Sequence, residues 1–309
     1  MKILVTGGAG FIGSHVVDMY IDNGHEVVVV DDLSTGRISN LNPKAKFYQV
    51  DIRSEKMLDV FRSEKPEGVN HHAAQMDVRR SISDPLFDAD VNILGAIKLA
   101  ELSRNFGVRK FIHISSGGAI YGEPEYLPCD ESHPVYPLSP YGVSKFTFEL
   151  YLYLYKANFN LDFTLLRYAN VFGPRQDPYG EAGVVAIFTG LMLKDQPVTI
   201  YGSGEQVRDF VYVSDCARAN LIALEHGSGQ AYNLGAGIGV SVNQIFEHLK
   251  DITNFQKDPI YEPPKPGETF RIYLNAQKAK AELNWEPEVN LGDGLRRTVE
   301  YFRQTEVEL

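Results

Sequence analysis

The sequence has 309 residues, of which 44% are hydrophobic and 23% charged, an ordinary composition for a globular protein of one or two domains. The formal net charge of −10 argues against a nucleic-acid partner, because binding to a phosphate backbone requires a basic surface. Two separated cysteines, Cys129 and Cys216, predict reduced thiols, and neither a signal-peptide pattern nor a membrane-spanning apolar run is visible, so we expect a cytoplasmic protein.

Short β-branched runs alternate with helical segments through the first half of the chain. The first two runs, 3–6 and 27–31, are apolar on both faces, as strands covered by helices on both sides must be. The alternation predicts an α/β fold with a Rossmann-type, doubly wound parallel sheet. Further strands are predicted at 46–50, 68–72, 111–115 and 163–167, and helices at 14–23, 54–63, 85–105 and 140–158.

The second half of the chain has a different character. Proline and glycine cluster there between shorter elements, which predicts a smaller C-terminal α/β lobe. We interpret residues 1–169 as the nucleotide-binding Rossmann domain and residues 170–309 as the substrate lobe, with late segments able to return to the first domain. Helices are predicted in this lobe at 184–194, 214–225, 242–252 and 292–303.

A glycine-rich turn follows the first predicted strand and opens a helix. Its glycines fit GxxGxxG from Gly7 and, in an overlapping pattern, GxGxxG from Gly8. Side chains at these positions would block the turn or keep a pyrophosphate away, and the following helix N-terminus supplies N–H groups for that pyrophosphate. The turn therefore predicts a dinucleotide site, contacted by Gly7, Gly10, Phe11, Ile12 and Gly13.

Two adjacent carboxylates, Asp31 and Asp32, end the second predicted strand. A carboxylate at this point can accept hydrogen bonds from both hydroxyls of the adenine ribose and would repel a 2′-phosphate. NAD is therefore favoured over NADP as the cofactor, although Arg37 nearby leaves NADP open.

A tyrosine and a lysine, Tyr141 and Lys145, lie one turn apart at the start of a long predicted helix and project from one face. A phenol with its ordinary pKa of about 10 is a poor base at neutral pH. An ammonium group beside it would stabilise the phenolate and lower that pKa. We predict a catalytic pair, in which the lysine also holds the nicotinamide ribose; the alternative is two surface residues on an amphipathic helix.

Further motifs run along nearly the whole chain. They are TGGAGFIG at the start, Asp51-Ile52, Ala73-Ala74-Gln75, Tyr121-Gly122, Tyr141-x3-Lys145, RYANVFGP from Arg167, VRDF from Val207 and ELNW from Glu282. With these motifs the sequence resembles the extended short-chain dehydrogenase/reductase family, in particular its bacterial and archaeal UDP-glucose 4-epimerase branch.

The resemblance implies an isomerase that inverts C4 of UDP-glucose or UDP-galactose, in galactose metabolism. Hydride passes from C4 to NAD, the 4-keto sugar rotates, and hydride returns to the other face. No metal is expected, because the histidines lack the spacing of a metal site. The resemblance also implies further NAD contacts at Asp51, Ile52, Ala73, Ala74, Gln75 and Tyr168, and UDP-sugar contacts at Asn170, Arg208, Glu268 and Arg271.

One position departs from the family pattern. The family usually carries Ser or Thr four residues before the Tyr-Gly pair, and this chain has Gly117 there. We predict Ser116 as the catalytic substitute, because its spacing from Tyr141 is similar to the family's. A water molecule in that role, or a serine that only caps the strand end, remains open.

Three rival functions are weighed. A 4,6-dehydratase needs an Asp-Glu pair where this chain has Gly118 and Ala119. UDP-glucuronate epimerases or decarboxylases need a site for the sugar carboxylate, for which Arg79, Arg80 and Arg175 are available. A non-catalytic NAD sensor would typically lack the Tyr141–Lys145 pair.

Two further expectations concern assembly and substrate size. The long helices predicted at 85–105 and 140–158 carry surplus apolar surface, and such helices pair into a four-helix homodimer interface in relatives. Ile272 aligns with a bulky tyrosine that limits the pocket in some relatives, which hints at tolerance for N-acetylated sugars.

Overall fold

The computed structural model describes residues 1–179, 183–264 and 269–305. Its strands are β1 (Lys2–Thr6), β2 (Glu26–Asp31), β3 (Lys46–Gln49), β4 (Gly68–His71), β5 (Lys110–Ser116), β6 (Phe163–Tyr168), β7 (Asn170–Phe172), β8 (Thr199–Tyr201), β9 (Val207–Tyr212), β10 (Gln230–Leu234), β11 (Gly239–Ser241) and β12 (Ile260–Glu262).

The α-helices surround these strands. They are α1 (Phe11–Asp22), α2 (Lys56–Glu64), α3 (Val78–Ser83), α4 (Pro85–Ala89), α5 (Ala96–Asn105), α6 (Gly117–Ile120), α7 (Pro140–Phe159), α8 (Val184–Leu193), α9 (Val213–Ala223), α10 (Val242–Thr253), α11 (Gln277–Leu283) and α12 (Leu291–Thr305). No helix in the described part of the chain is long and apolar enough to cross a membrane.

A seven-stranded sheet in the order β10-β6-β5-β4-β1-β2-β3 forms the centre of the protein, and all its neighbouring strands are parallel. The predicted Rossmann-type fold is thus confirmed, and its six predicted strands begin and end within one residue of the observed ones. The strand order reverses direction between β1 and β4, which opens a ligand crevice at their carboxyl ends.

Successive residues of the strands enter two separate cores. Ile3, Val5 and Val29 pack under α1 and α9, whereas Leu4 and Val30 pack under α2, α5 and α7 on the other face. This double burial is the reason why the strands are apolar at consecutive positions.

The lobe beside the sheet has its own core, in which aromatic residues such as Phe172, Phe210 and Phe246 are buried between α8, α10 and α12. Two small sheets, β11-β9-β7 and β12-β8, accompany it. Strand β10, from the second half of the chain, lies in the large sheet beside β6.

The helix predicted at 85–105 is interrupted. A π-helical turn, Asp90–Gly95, separates α4 from α5. It turns the side chain of Asn92 into the protein, where its Nδ2 donates to the backbone oxygen of Gln75 at 2.8 Å. Such a wide turn leaves no simple mark in hydrophobic periodicity, so the sequence predicted one continuous helix.

Candidate active site

The glycines of the turn between β1 and α1 serve different purposes. A Cβ on Gly7, which has φ +70°, would lie 2.6 Å from the backbone nitrogen of Ala73, and one on Gly13 would lie 2.2 Å from the Gly7 oxygen. These two glycines allow close backbone packing. A Cβ on Gly10 would approach only the Gly7 oxygen, at 3.1 Å, so the space in front of Gly10 is open.

Helix α1 begins directly behind Gly10, with no side chain of the described residues bonded to its cap. The first N–H groups of a helix lack partners within the helix and carry partial positive charge. An open cradle in front of such a helix end fits the pyrophosphate of a dinucleotide.

The two aspartates after β2 play different parts. Asp31 is buried, and its carboxylate accepts hydrogen bonds from the backbone N–H groups of Ala9, at 3.0 Å, and Leu33, at 2.9 Å. Burial raises the pKa of Asp31, while these hydrogen bonds lower it. Asp32 is exposed and bonds to Ser34 instead. Asp31 therefore braces the glycine turn, at the position predicted for the ribose.

The segment after β3 holds the predicted adenine contacts. Asp51 is paired with Arg53 at 2.6 Å, which keeps the pKa of Asp51 below its usual range. Ile52 is buried, and its Cδ1 would lie 3.0 Å from a Cβ on Gly95. The structure thus places an ion pair and an apolar side chain side by side at this end of the crevice.

The three predicted residues after β4 differ from one another. Ala73 and Ala74 are partly buried, and the Ala73 nitrogen donates to Thr6 Oγ1 at 3.2 Å beside the glycine turn. Gln75 is buried, and its Nε2 donates to the Asp88 carboxylate at 3.0 Å. The Gln75 side chain therefore points into the protein. Its contact with the cofactor stays a prediction.

Ser116, Tyr141 and Lys145 meet at the carboxyl end of β5. Pro140 and the capping hydroxyl of Ser139 start α7 so that Tyr141 lies in its first turn. Ser116 lowers the pKa of the Tyr141 hydroxyl, but burial raises it more, to about 12. The structure thus places the predicted Ser116 near the Tyr141 hydroxyl.

Lys145 is buried behind the tyrosine. Its Nζ donates to the Ile114 backbone oxygen at 3.0 Å and lies 6.0 Å from the centroid of the Tyr141 ring. Burial lowers the pKa of Lys145 to about 8. The predicted lowering of the tyrosine pKa by this ammonium group is not observed in this structure, where burial raises that pKa and Ser116, rather than Lys145, lowers it.

The predicted UDP-sugar contacts line the lobe side of the crevice. Asn170 Oδ1 would lie 3.4 Å from a Cβ on Gly118, beside the strand end that carries Ser116. Val207 pairs with Arg271 across a β-bridge, which brings Arg271 next to Arg208. Arg208 Nη1 donates to the Val207 backbone oxygen at 3.0 Å. Glu268 lies outside the described residues.

Two predicted positions have buried side chains. The Tyr168 backbone pairs with Ser116 at the end of β6, but its hydroxyl is bonded to Asn220 on α9. Ile272 is buried in the same core cluster as Tyr168. The strand pattern that identified Tyr168 does not reveal which face its side chain takes.

Two buried carboxylates near Lys145 were missed. Glu149 makes a bidentate ion pair with Arg167, through Nε at 3.0 Å and Nη2 at 2.6 Å. Asp88 is only 1% exposed on the short helix α4. Acidic residues in a helix are normally exposed, and nothing in the local sequence marks either one as an exception.

The chain is similar to known proteins along almost its whole length. Residues 3–235 match the model of the NAD dependent epimerase/dehydratase family. A putative UDP-glucose 4-epimerase of Methanocaldococcus jannaschii is 48% identical over 97% of this chain and 98% of its own length.

Two solved structures are similar over almost the whole chain. The UDP-glucose 4-epimerase of Thermotoga maritima, crystallised with UDP-glucose, superposes with a TM-score of 0.98 at 52% identity, covering 99% of this chain and all of that one. The UDP-glucose 4-epimerase of Thermus thermophilus in complex with NAD has a TM-score of 0.94 at 44% identity, covering 98% of this chain and 99% of that one. The chain therefore belongs to the NAD-dependent epimerase/dehydratase family.

Proposed function

We propose that this protein is an NAD-dependent UDP-glucose 4-epimerase that interconverts UDP-glucose and UDP-galactose. The observation that carries the proposal is the meeting of three side chains in a crevice that also contains the glycine turn. Ser116 lies close enough to Tyr141 to lower its pKa, and Lys145 is buried one helical turn further along α7, on the Ile114 oxygen. The epimerases of Thermotoga maritima and Thermus thermophilus, which bind UDP-glucose and NAD respectively, support the same reading.

The residues of this chain fit the cofactor. The open cradle at Gly10, the N-terminus of α1 and the carboxylate of Asp31 would hold the pyrophosphate and the adenine ribose. NAD, when bound, supplies the acceptor and donor of hydride at C4 of the sugar, and its positive charge would favour the Tyr141 phenolate.

Tyr141 holds and moves the proton in this proposal. It takes the proton of the sugar 4-hydroxyl as hydride leaves C4, and it returns the proton when hydride comes back. Ser116 lowers the pKa of Tyr141 and so favours its ionised form. The Lys145 ammonium, fixed on the Ile114 oxygen, adds positive charge to the site.

Inversion requires the sugar to present both faces in turn while the rest of the substrate stays bound. Arg208 and Arg271, adjacent through the Val207–Arg271 bridge, would bind the diphosphate, because guanidinium groups suit paired phosphate contacts. Asn170 lies nearer to the reacting end, beside Gly118.

The geometry is less favourable to the rival substrates. Arg175 is paired with Asp18 at 2.7 Å, and the Arg80 guanidinium stacks on the Phe87 ring at 4.0 Å. Both arginines are thus engaged elsewhere, which disfavours them as a site for the carboxylate of UDP-glucuronate. The acid and base that a 4,6-dehydratase needs for elimination are missing. At the positions of its Asp-Glu pair, α6 carries Gly118 and Ala119.

We further propose a cytoplasmic homodimer that serves galactose metabolism. Large apolar side chains on the outer face of α7 and on the turn before α5 are exposed, and α5 packs against α7. Pairing of these two helices with their copies would cover that surface in a four-helix arrangement. The exposed residues are Leu94, Val143, Leu150, Tyr151 and Leu154.

A product assay tests the proposed function. The purified protein is incubated with UDP-galactose, UDP-N-acetylgalactosamine or UDP-glucuronate, and the nucleotide sugars are separated by chromatography. UDP-glucose should form from UDP-galactose, and Tyr141→Phe should slow this conversion roughly 10²–10⁴-fold while NAD stays bound. Absence of UDP-glucose, or near-wild-type turnover by the phenylalanine variant, would contradict the proposal.

A further inference from the structure

Asp88 is a buried carboxylate that the proposed chemistry does not yet use. It lies on α4, which packs against α7, the helix of Tyr141 and Lys145. Ionised side chains are rarely buried without a partner of opposite charge. The groups that donate hydrogen bonds to Asp88 are the neutral amides of Gln75 and Asn92.

One oxygen of Asp88 is fixed and the other is not. Oδ1 accepts hydrogen bonds from Gln75 Nε2 and from Asn92 Nδ2, each at 3.0 Å. Oδ2 is buried and has no hydrogen-bond partner among the described residues. The amide hydrogen bonds set the orientation of the carboxylate, and Asn92 Nδ2 also lies 3.3 Å from Ser144 Oγ, next to Lys145 on α7.

The charge of Asp88 acts on both Tyr141 and Lys145. It raises the pKa of Tyr141 and that of Lys145, which places the carboxylate in the electrostatic field of both groups. Glu149, the other carboxylate that acts on Lys145, is already neutralised by Arg167 at 2.6 Å.

The remaining neighbours of the lysine do not supply negative charge. Among the described residues, the charged and titratable groups around Lys145 come from four elements. They are Tyr141 and Glu149 on its own helix, Asp88 from α4, His71 and His72 from β4 and its end, and His113 from β5. Burial and the lysine charge lower the pKa of all three histidines and so favour their neutral forms.

We propose that Asp88 is a positioning residue of this site: its buried carboxylate is the counter-charge that keeps the Lys145 ammonium inside the protein. The assignment rests on the proposed function only in taking Tyr141 and Lys145 as the reacting pair. Gln75 and Asn92 hold the carboxylate in place, which gives the buried Gln75 a purpose other than contact with the cofactor.

Asp88→Asn tests the proposal with little change of shape. The asparagine oxygen can accept the same two hydrogen bonds, and its Nδ2 replaces the oxygen that has no partner. Asp84→Asn is the matched control, since it removes a charge from the exposed N-cap of the same helix and asparagine caps helices as well as aspartate does.

The direct measurement is the titration of Lys145 by NMR in protein labelled at the lysine Cε carbons, with the resonance assigned by its loss in Lys145→Met. The midpoint should fall by roughly one pH unit in Asp88→Asn, a tenfold change in the acid dissociation constant, and should not move in Asp84→Asn. An unchanged midpoint in Asp88→Asn would overturn the proposal. If Asp88→Asn fails to fold, Asp88→Ser provides the same loss of charge with a hydroxyl that can still accept one bond.

The pH profile of turnover provides a second readout. Because Asp88 raises the pKa of both groups, its removal should move both limbs of the profile towards lower pH, whereas a merely structural role would lower the rate without moving them. The lysine titration needs no turnover. A protein without epimerase activity would therefore refute the proposed function and leave the Asp88 assignment to be decided by NMR.

Discussion

The side chain of Leu274 fills the space beside Gly117. A Cβ on Gly117 would lie 2.6 Å from Leu274 Cδ1 and 3.1 Å from Cδ2. Leu274 is fully buried, and its backbone nitrogen donates to Asp209 Oδ2 at 3.1 Å, so the leucine has little room to withdraw. A hydroxyl residue at this position would have to displace the Leu274 side chain. Ser116 is the neighbouring hydroxyl residue that lowers the pKa of Tyr141.

Gly117→Ser should therefore destabilise the protein rather than restore a catalytic hydroxyl. Overpacking of a filled core typically costs about 1–3 kcal/mol. The expected result is a lower denaturant midpoint with an unchanged slope, measured by urea unfolding, and no gain in turnover of UDP-galactose.

The control for this prediction is Leu274→Ala, which makes room for a side chain at position 117. Leu274→Ala alone should cost about 2–5 kcal/mol, because it leaves a cavity. The double variant should be more stable than the sum of the two single effects by roughly 0.5–3 kcal/mol. Strict additivity would show that position 117 and Leu274 do not compete for the same space.

Ser116→Ala should move the acid limb of the activity profile to higher pH. The Ser116 hydroxyl lowers the pKa of Tyr141, so its removal raises that pKa and leaves less phenolate at neutral pH. We expect turnover at pH 7 to fall roughly tenfold, with partial recovery as the pH is raised. Rates measured from pH 5 to 10 check this, and Ser116→Thr, which keeps the hydroxyl, should behave like the wild type. If the rate falls at every pH without a shift of the profile along the pH axis, Ser116 only caps the strand end.

The parts of the site that the sequence predicted are those with local signatures. The glycine turn, the Asp31 position and the one-turn spacing of Tyr141 and Lys145 each depend on residues a few positions apart. Leu274 and Gly117, or Asp88 and Lys145, are instead far apart along the chain, and only tertiary packing brings them together. The face taken by Tyr168 and the inward turn of Gln75 depend on such packing as well. The pKa of Tyr141 was misjudged for the same reason, since burial cannot be read from helical spacing.

Lys145→Met should make the protein more stable while it abolishes turnover. The pKa of Lys145 is about 8 in the folded protein, below the ordinary lysine value of 10.5, so the folded state binds fewer protons than the unfolded state between these values. Stability therefore rises with pH through that window, and at pH 7 the buried ammonium costs free energy. Its removal should raise the free energy of unfolding by roughly 1–3 kcal/mol, after the lost hydrogen bond to Ile114 is set against the gain.

Urea unfolding at pH 7 and pH 9.5 measures this effect. The advantage of Lys145→Met should be largest at pH 7 and shrink towards pH 9.5, where the wild-type lysine has lost most of its charge. Lys145→Arg keeps the charge and is the control, since it should gain no stability. A methionine variant that is less stable than the wild type at both pH values would contradict the sign of the argument.

The outer face of α7 is expected to form a homodimer contact. Leu150 and Leu154, one helical turn apart, are 54% and 47% exposed. Glutamate at both positions would place buried negative charges against their copies in a symmetric interface, which is strongly unfavourable.

Light scattering on an eluting size-exclusion peak should give twice the chain mass of 34.6 kDa for the wild type and the single mass for Leu150→Glu/Leu154→Glu. Ile260→Glu, on the 50% exposed Ile260 of β12, is the matched control and should stay dimeric. A wild type with the mass of one chain would refute the dimer, and a dimer that survives the double substitution would move the interface to another face.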